Sequence, residues 1–176
     1  MIDDLTTRID AIADAYEDIR AMTQQVIVGN QPLIEEIFIC MISGGHLLIE
    51  GVPGTAKTTI CKIVAHLIDY DFRRVQGAVD LQPADIIGIR IYDRDKNSFT
   101  LQKGPVFTNF LMVDEMNRLT PKTQSALLEA MSERQATIDG ITYPLPNPYF
   151  AIATQNPQEI EGTFPLIEAQ RDRFMF

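Results

Sequence analysis

The chain has 176 residues, 45% of them hydrophobic and 22% charged, the composition of one globular domain long enough to bury a core and not that of a disordered chain. Fifteen Lys and Arg against 24 Asp and Glu leave a net charge of -9, so the basic footprint of a polynucleotide-binding surface is missing. The phosphates of a single nucleotide are not excluded, because a few oriented N–H groups and one lysine hold them.

The opening stretch MIDDLTTRIDAI is acidic and has no apolar h-region, so it does not read as a signal peptide. The longest apolar runs are too short to span a bilayer. Cys40 and Cys61 fall in apolar helical stretches without metal-ligand spacing, the pattern of reduced core thiols. These features predict a soluble, cytoplasmic protein with no membrane partner.

In chain order, Ile2, Leu5, Ile9, Ile12, Tyr16 and Ile19 recur at three- and four-residue steps and predict an amphipathic helix over 1–25, its stripe packed on its own domain. Gly29 ends it. Asn30 is the expected cap of a second helix with Pro32 in its first turn, and Gly44-Gly45 closes that helix. HLLIE reads as a short buried strand running into GVPGTAKTT and a helix from about Lys57 to Asp69. FRRVQ is a second strand, and DIIGIRIYDRDKNSFTLQKG alternates about a charged turn as a hairpin.

NFLMVDE is a buried strand ending in two acids, and Thr120 caps a helix beginning at Pro121. ATIDGITY is a hairpin turning on Asp139-Gly140, a dipeptide that accepts positive φ. PYFAIATQNP is another buried strand running into a polar loop. EAQRDRF opens as a helix, and FMF begins a last strand. Buried strands separated by helices predict a single α/β domain over 1–176, a parallel sheet with helices on both faces and two inserted hairpins.

The stretch from Gly51 to Thr59 nearly matches the phosphate-cradling loop G-x-x-x-x-G-K-[ST], and it has the strand–loop–helix setting that motif requires. Such a loop aims successive N–H groups at phosphate oxygens at the positive end of a helix. Gly51 and Gly54 let the chain turn, Pro53 stiffens it, Lys57 reaches the β- and γ-phosphates, and Thr58 offers Mg²⁺ a hydroxyl. Alanine at position 56, where the second glycine is expected, serves if φ there is negative.

The carboxyl end of FLMVD places Asp114 to orient Mg²⁺, and Glu115, pointing the other way or out from the strand tip, to accept a proton from attacking water. Asn156, ending the next strand, orients that water or forms a turn before Pro157. Arg171 and Arg173 offer a charge that could act across a subunit boundary, with a surface salt bridge as the alternative. DRDKNS is not a calcium loop, since Ser98 and Gly104 stand where glycine and a bidentate glutamate belong. His46 and His66 lack ligand-spaced companions and read as structural.

IVGNQ, GGHLLIEGVPGTAKT, DLQPADIIG, GPVFTNFLMVDEMNR, PKTQSALLEAMSERQATIDG, YPLPNPYFAIATQNP and EAQRDRF, in this order, resemble the AAA+ ATPases and most closely their MoxR family, over nearly everything from Val26 to Phe176. Alanine before the lysine is usual there. The resemblance implies a P-loop AAA+ core holding ATP and Mg²⁺. Its loop, Gly51, Val52, Pro53, Gly54, Thr55, Ala56, Lys57, Thr58 and Thr59, would cradle the triphosphate, with Val28 and Gly29 against the adenine. It implies further that Asn156 is the sensor 1 residue and Arg173 the arginine finger, and that the two hairpins, around Ser98 and around Asp139-Gly140, face a pore or substrate. The family assembles as rings, hexameric in full-length form, that mature or assemble client proteins, often with von Willebrand factor A domains.

Ile167 stands where the family usually has proline, and Arg171 where it has leucine, so Arg171 competes with Arg173 for the finger role. Family members continue into a helical lid with a sensor 2 arginine. The sequence stops at Phe176, which reads as a shortened form or gene fragment, with weak hydrolysis and poor assembly expected. The expected function is thus a MoxR-type, Mg²⁺-dependent ATPase. A nucleotide-gated binding module and a helicase-like remodeller are the alternatives, the last disfavoured by charge. Absence of the guanine-reading N-K-x-D pattern favours ATP over GTP.

Overall fold

The computed structural model describes residues 2–26, 29–51, 56–156, 158 and 161–176. Helices α1 (Ile2–Gln24) and α2 (Gln31–Ser43) precede strand β1 (Leu47–Glu50), helix α3 (Lys57–Leu67) and strand β2 (Phe72–Gln76). A short helix α4 (Pro83–Ile87) leads into the hairpin β3 (Gly88–Asp93) and β4 (Ser98–Lys103). Strand β5 (Phe110–Asp114), a single 3₁₀ turn (Met116–Arg118) and helix α5 (Pro121–Glu133) follow. A second hairpin, β6 (Gln135–Ile138) and β7 (Ile141–Pro144), precedes β8 (Phe150–Gln155) and α6 (Glu168–Arg171).

Strands β1, β8, β5 and β2 form one parallel sheet in that order. The unbroken apolar runs of β5 and β8 are explained by cover on both faces. Phe110, Met112, Phe150 and Ile152 pack with Ile34, Ile37, Ile60 and Val64 of α2 and α3 on one face. Leu111, Val113, Ala151 and Ala153, the alternate residues, pack with Leu127, Leu128 and Met131 of α5 on the other. Phe110 and Phe150 meet edge-to-face at 5.0 Å between ring centroids, and burying each side chain contributes roughly 1.5–3 kcal/mol. Both hairpins form separate two-stranded sheets, and Asp139 and Gly140 take positive φ at the tip of the second, as a two-residue turn demands.

His46, just before β1, ties the start of that strand to the adjacent strand β8 and to helix α5. Its Nδ1 accepts from the Ala151 N–H at 3.1 Å, which leaves Nε2 to donate to the Met131 carbonyl at 2.9 Å. The buried ring is therefore neutral, and burial holds its pKa below the usual histidine value. The structural reading of this residue thus gains a specific tautomer.

Four local expectations are corrected. The α1 stripe packs only at its carboxyl half: Ile19 is buried and Tyr16 meets Phe38 at 5.1 Å, but Leu5, Ile9 and Ile12 are exposed. Periodicity marks a face as apolar without saying what covers it. Asn30 stands at the α2 N-cap with φ 58° and makes no side-chain cap bond, because that bond needs an extended cap residue. Helix α4, which the apolar pattern did not announce, is set by Pro83 in its first turn and by Asp85 accepting from the Gln82 N–H at 2.8 Å. The last residues form no assigned strand, yet the Met175 N–H reaches the His46 carbonyl at 2.7 Å and the Leu48 N–H reaches the Phe176 carbonyl at 2.9 Å, along the free edge of β1. No helix among the described residues is long and apolar enough to cross a membrane.

Candidate functional site

Strand register assembles the site. Glu50 lies opposite Gln155, Val113 opposite Ala153, and Gln76 opposite Asp114, so the carboxyl ends of all four strands finish side by side. Open α/β sheets place their ligand sites at that edge. A cleft of about 370 Å³ opens there, lined by Gly51, Ala56, Lys57, Thr58, Thr59, Arg74, Gln76, Asp114, Glu115, Thr154, Gln155 and Asn156.

Val28, Val52, Pro53, Gly54 and Thr55 lie outside the described residues; Gly29 is described, with φ 87°. The Gly51 N–H donates to the Gln155 carbonyl at 3.1 Å, which starts the glycine loop from the sheet, and Ala56 forms the N-cap of α3. The negative φ set as the condition for alanine at position 56 is not met: φ is 58° and ψ 13°. This left-handed conformation costs an L-residue roughly 1–2 kcal/mol, and the single methyl of alanine is the least that can be placed there. Lys57 opens the helix and its Nζ donates to the Gly51 carbonyl at 3.1 Å, spanning the loop mouth. The first N–H groups of α3 are the orphan donors of a helix terminus, with the positive end of the dipole at the cleft.

Asp114 is the hub. Its Oδ1 accepts from Thr154 Oγ1 at 2.9 Å, and its Oδ2 accepts from Thr58 Oγ1 at 3.3 Å and from Arg74 Nε at 2.8 Å. Glu115 leaves the strand with φ 53°, the strand-tip orientation of the two expected, and its N–H donates to Thr154 Oγ1 at 3.0 Å. Its carboxylate pairs with Arg118 at 3.2 Å. The backbone of this acid pair is fixed from the side by Gly77, whose N–H donates to the Asp114 carbonyl at 2.7 Å. A Cβ at position 77 would fall 2.1 Å from the Glu115 carbonyl oxygen, so only glycine fits that approach.

Asn156 lines the cleft and also forms a turn, its Oδ1 accepting from the Gln158 N–H at 3.2 Å. The turn reading holds, in a residue that also stands at the cleft. Arg171 pairs with Glu50 of its own chain at 3.2 Å, while Arg173 hydrogen-bonds Ser132 at the end of α5. Neither arginine lines its own chain's cleft. Cys40 and Cys61 are buried free thiols, pushed up to about 11 and about 12 by burial, which keeps them protonated and inert. Sequence reasoning missed Arg74, Gly77 and Thr154. Each acts through a neighbouring strand, and no local motif marks it.

The oxygen donors fit a hard divalent cation: one carboxylate and one hydroxyl within 3.3 Å of each other. No group of three or more His, Cys, Asp or Glu among the described residues could hold a metal by itself. Such a set suits Mg²⁺, which keeps most of its shell as water and phosphate oxygens.

A parallel sheet whose first strand runs through a glycine loop into a helix, with an acid ending a neighbouring strand, defines the P-loop class of α/β cores. The family model for the ATPase family associated with various cellular activities (AAA) matches residues 46–176. The chain is 50% identical over 153 residues to "Chaperone MoxR1" of Mycobacterium tuberculosis, covering 87% of this chain and 41% of that one. It is 31% identical to "Protein MoxR" of Methylorubrum extorquens, covering 94% of this chain and 50% of that one. A crystal structure from Cytophaga hutchinsonii, named there as a candidate ATPase, superposes with a TM-score of 0.84 at 46% identity, covering 98% of this chain and 53% of that one. The chain belongs to the MoxR family of AAA+ ATPases, and its fold is the α/β core of that class. It spans about half the length of the curated relatives it matches.

Proposed function

We propose that the cleft binds ATP with Mg²⁺ and hydrolyses it, and that the cycle drives chaperone-like work on client proteins. The carrying observation is the convergence of Lys57, Thr58, Asp114, Glu115 and Asn156 on one cleft from two strand ends and one helix N-terminus. Lys57 and the loop N–H groups bind the phosphates, with Gly51, Val52, Pro53, Gly54, Thr55, Ala56 and Thr59 completing the cradle and Val28 and Gly29 on the adenine side. Thr58 and Asp114 hold the metal, which when bound neutralises phosphate charge. Glu115 accepts the proton of the attacking water, and Asn156 orients that water.

Arg173 serves as the finger toward a neighbouring subunit in a ring, hexameric in the full-length protein. Its place beside Ser132 rather than in the lining of its own cleft supports action in trans, and the ion pair of Arg171 with Glu50 of its own chain favours Arg173 of the two. The client is a protein, with a von Willebrand factor A domain as the family resemblance suggests, and the setting is cytoplasmic. The net charge of -9 speaks against nucleic acid as the partner.

Equilibrium binding of ATP and GTP, with and without Mg²⁺, tests the site. ATP binding that weakens at least about tenfold in Lys57→Ala, a loss of about 1.4 kcal/mol, is expected. Equal binding in both proteins overturns the assignment. Single-turnover rates per subunit that rise with protein concentration support a finger supplied in trans, and rates independent of concentration contradict it.

A further inference from the structure

The bridge between Arg74 and Asp114 has no part in the function above. Arg74 stands on β2, the edge strand, and belongs to neither core cluster. Its guanidinium is nonetheless held tightly. Nε and Nη2 approach the same Asp114 oxygen, Oδ2, at 2.8 and 2.7 Å, and Nη2 also donates to Gln76 Oε1. Oδ2 is also the oxygen that Thr58 addresses, while Oδ1 is taken by Thr154. The Asp114 side chain is only 14% exposed, so this pair is screened less than an ordinary surface bridge.

We infer that Arg74 is a positioning residue that sets the metal affinity of the site, by competing as a fixed cation for Asp114 Oδ2. The inference rests on the proposed Mg²⁺–nucleotide site. A planar guanidinium with two donors on one oxygen uses the lone pairs that a metal or its bound water would need. Its charge also opposes a second cation at the same carboxylate. Arg74 therefore keeps Asp114 oriented and its charge balanced, and it weakens metal binding until phosphates bring their own negative charge. Gln76 holds the guanidinium from the other side, so withdrawal of Arg74 from Asp114 has a ready alternative partner.

The test uses a fluorescent ADP analogue and the full chain, and reads the ratio of its dissociation constants in EDTA and in Mg²⁺. Competition predicts that Arg74→Gln raises this ratio about fivefold or more over wild type, with Arg74→Lys, which keeps charge but loses the fork, falling between. In an Asp114→Asn background the same substitution leaves the ratio unchanged, because the carboxylate charge that the guanidinium and the metal contest is gone. A purely structural role would not produce that pattern. An unchanged ratio in Arg74→Gln with Asp114 intact overturns the inference, as does a lowered one, which would mean that Arg74 assists the metal. Wild-type protein that binds the analogue with a clear Mg²⁺ dependence, alongside an unchanged variant, sinks the inference and leaves the function standing. Wild-type protein with no Mg²⁺-dependent binding overturns both.

Discussion

Thr154 joins the two acids of the cleft through one hydroxyl, donating to Asp114 Oδ1 at 2.9 Å and accepting from the Glu115 N–H at 3.0 Å. The contact exists because β8 lies between β1 and β5, with Val113 and Ala153 in register one residue earlier. Thr154→Val keeps the shape and removes the hydroxyl, leaving a carboxylate oxygen and a backbone N–H short of a partner. Loss of about 1–3 kcal/mol in urea denaturation is expected, with turnover falling as the acids lose alignment. Thr154→Ser retains both. A valine variant with wild-type stability and rate would show that the hydroxyl is incidental.

Ala56 carries backbone strain at φ 58°. Ala56→Gly relieves it but gives the unfolded chain more freedom, so stability should move by no more than about 1 kcal/mol, upward. Ala56→Val puts a branched side chain in a conformation such residues avoid, and should lose more than about 1 kcal/mol and weaken ATP binding. Thermal unfolding and nucleotide titration of both variants check this. A valine variant as stable as the glycine one would contradict the strain.

Much of this was legible in the sequence where chemistry is local. The helix opening at Lys57, the strand ending at Asp114 and the cap at Thr120 are each set by a few adjacent residues, and Thr120 Oγ1 does accept from the Thr123 N–H. The two-faced burial of β5 was readable from its unbroken apolar run. What remained hidden depends on strand order. Arg74 looks like one more polar residue of an edge strand until β2 is placed beside β5, and Gly77 shows no need for glycine until the Glu115 carbonyl is set against it. The sign of φ at Ala56 is decided by how the loop meets α3, which residue type alone does not specify.

His46 supplies a pH dependence with a definite sign. Burial lowers its folded pKa below the ordinary 6.5, and its Nδ1 already accepts a hydrogen bond, so the folded state resists protonation. The unfolded state binds the proton first as pH falls. The stability from this residue is complete above about pH 6.5 and is lost below it, toward the lowered folded value, with a slope of up to about 1.4 kcal/mol per pH unit. Denaturation between pH 8 and 5 should show this slope in wild type and lack that share of it in His46→Gln. Identical slopes in the two proteins would remove His46 from the account.

Glu115 bears on the central claim most directly. Single-turnover hydrolysis of ATP, measured with Mg²⁺ alongside equilibrium ATP binding in wild type and Glu115→Gln, separates holding the nucleotide from cleaving it. The amide keeps the size and the hydrogen-bonding reach toward the cleft but cannot take a proton from water. The account predicts binding within about twofold of wild type and turnover reduced at least about a hundredfold, the scale of a lost general base. Wild-type turnover in Glu115→Gln, or loss of binding with loss of turnover, would contradict it.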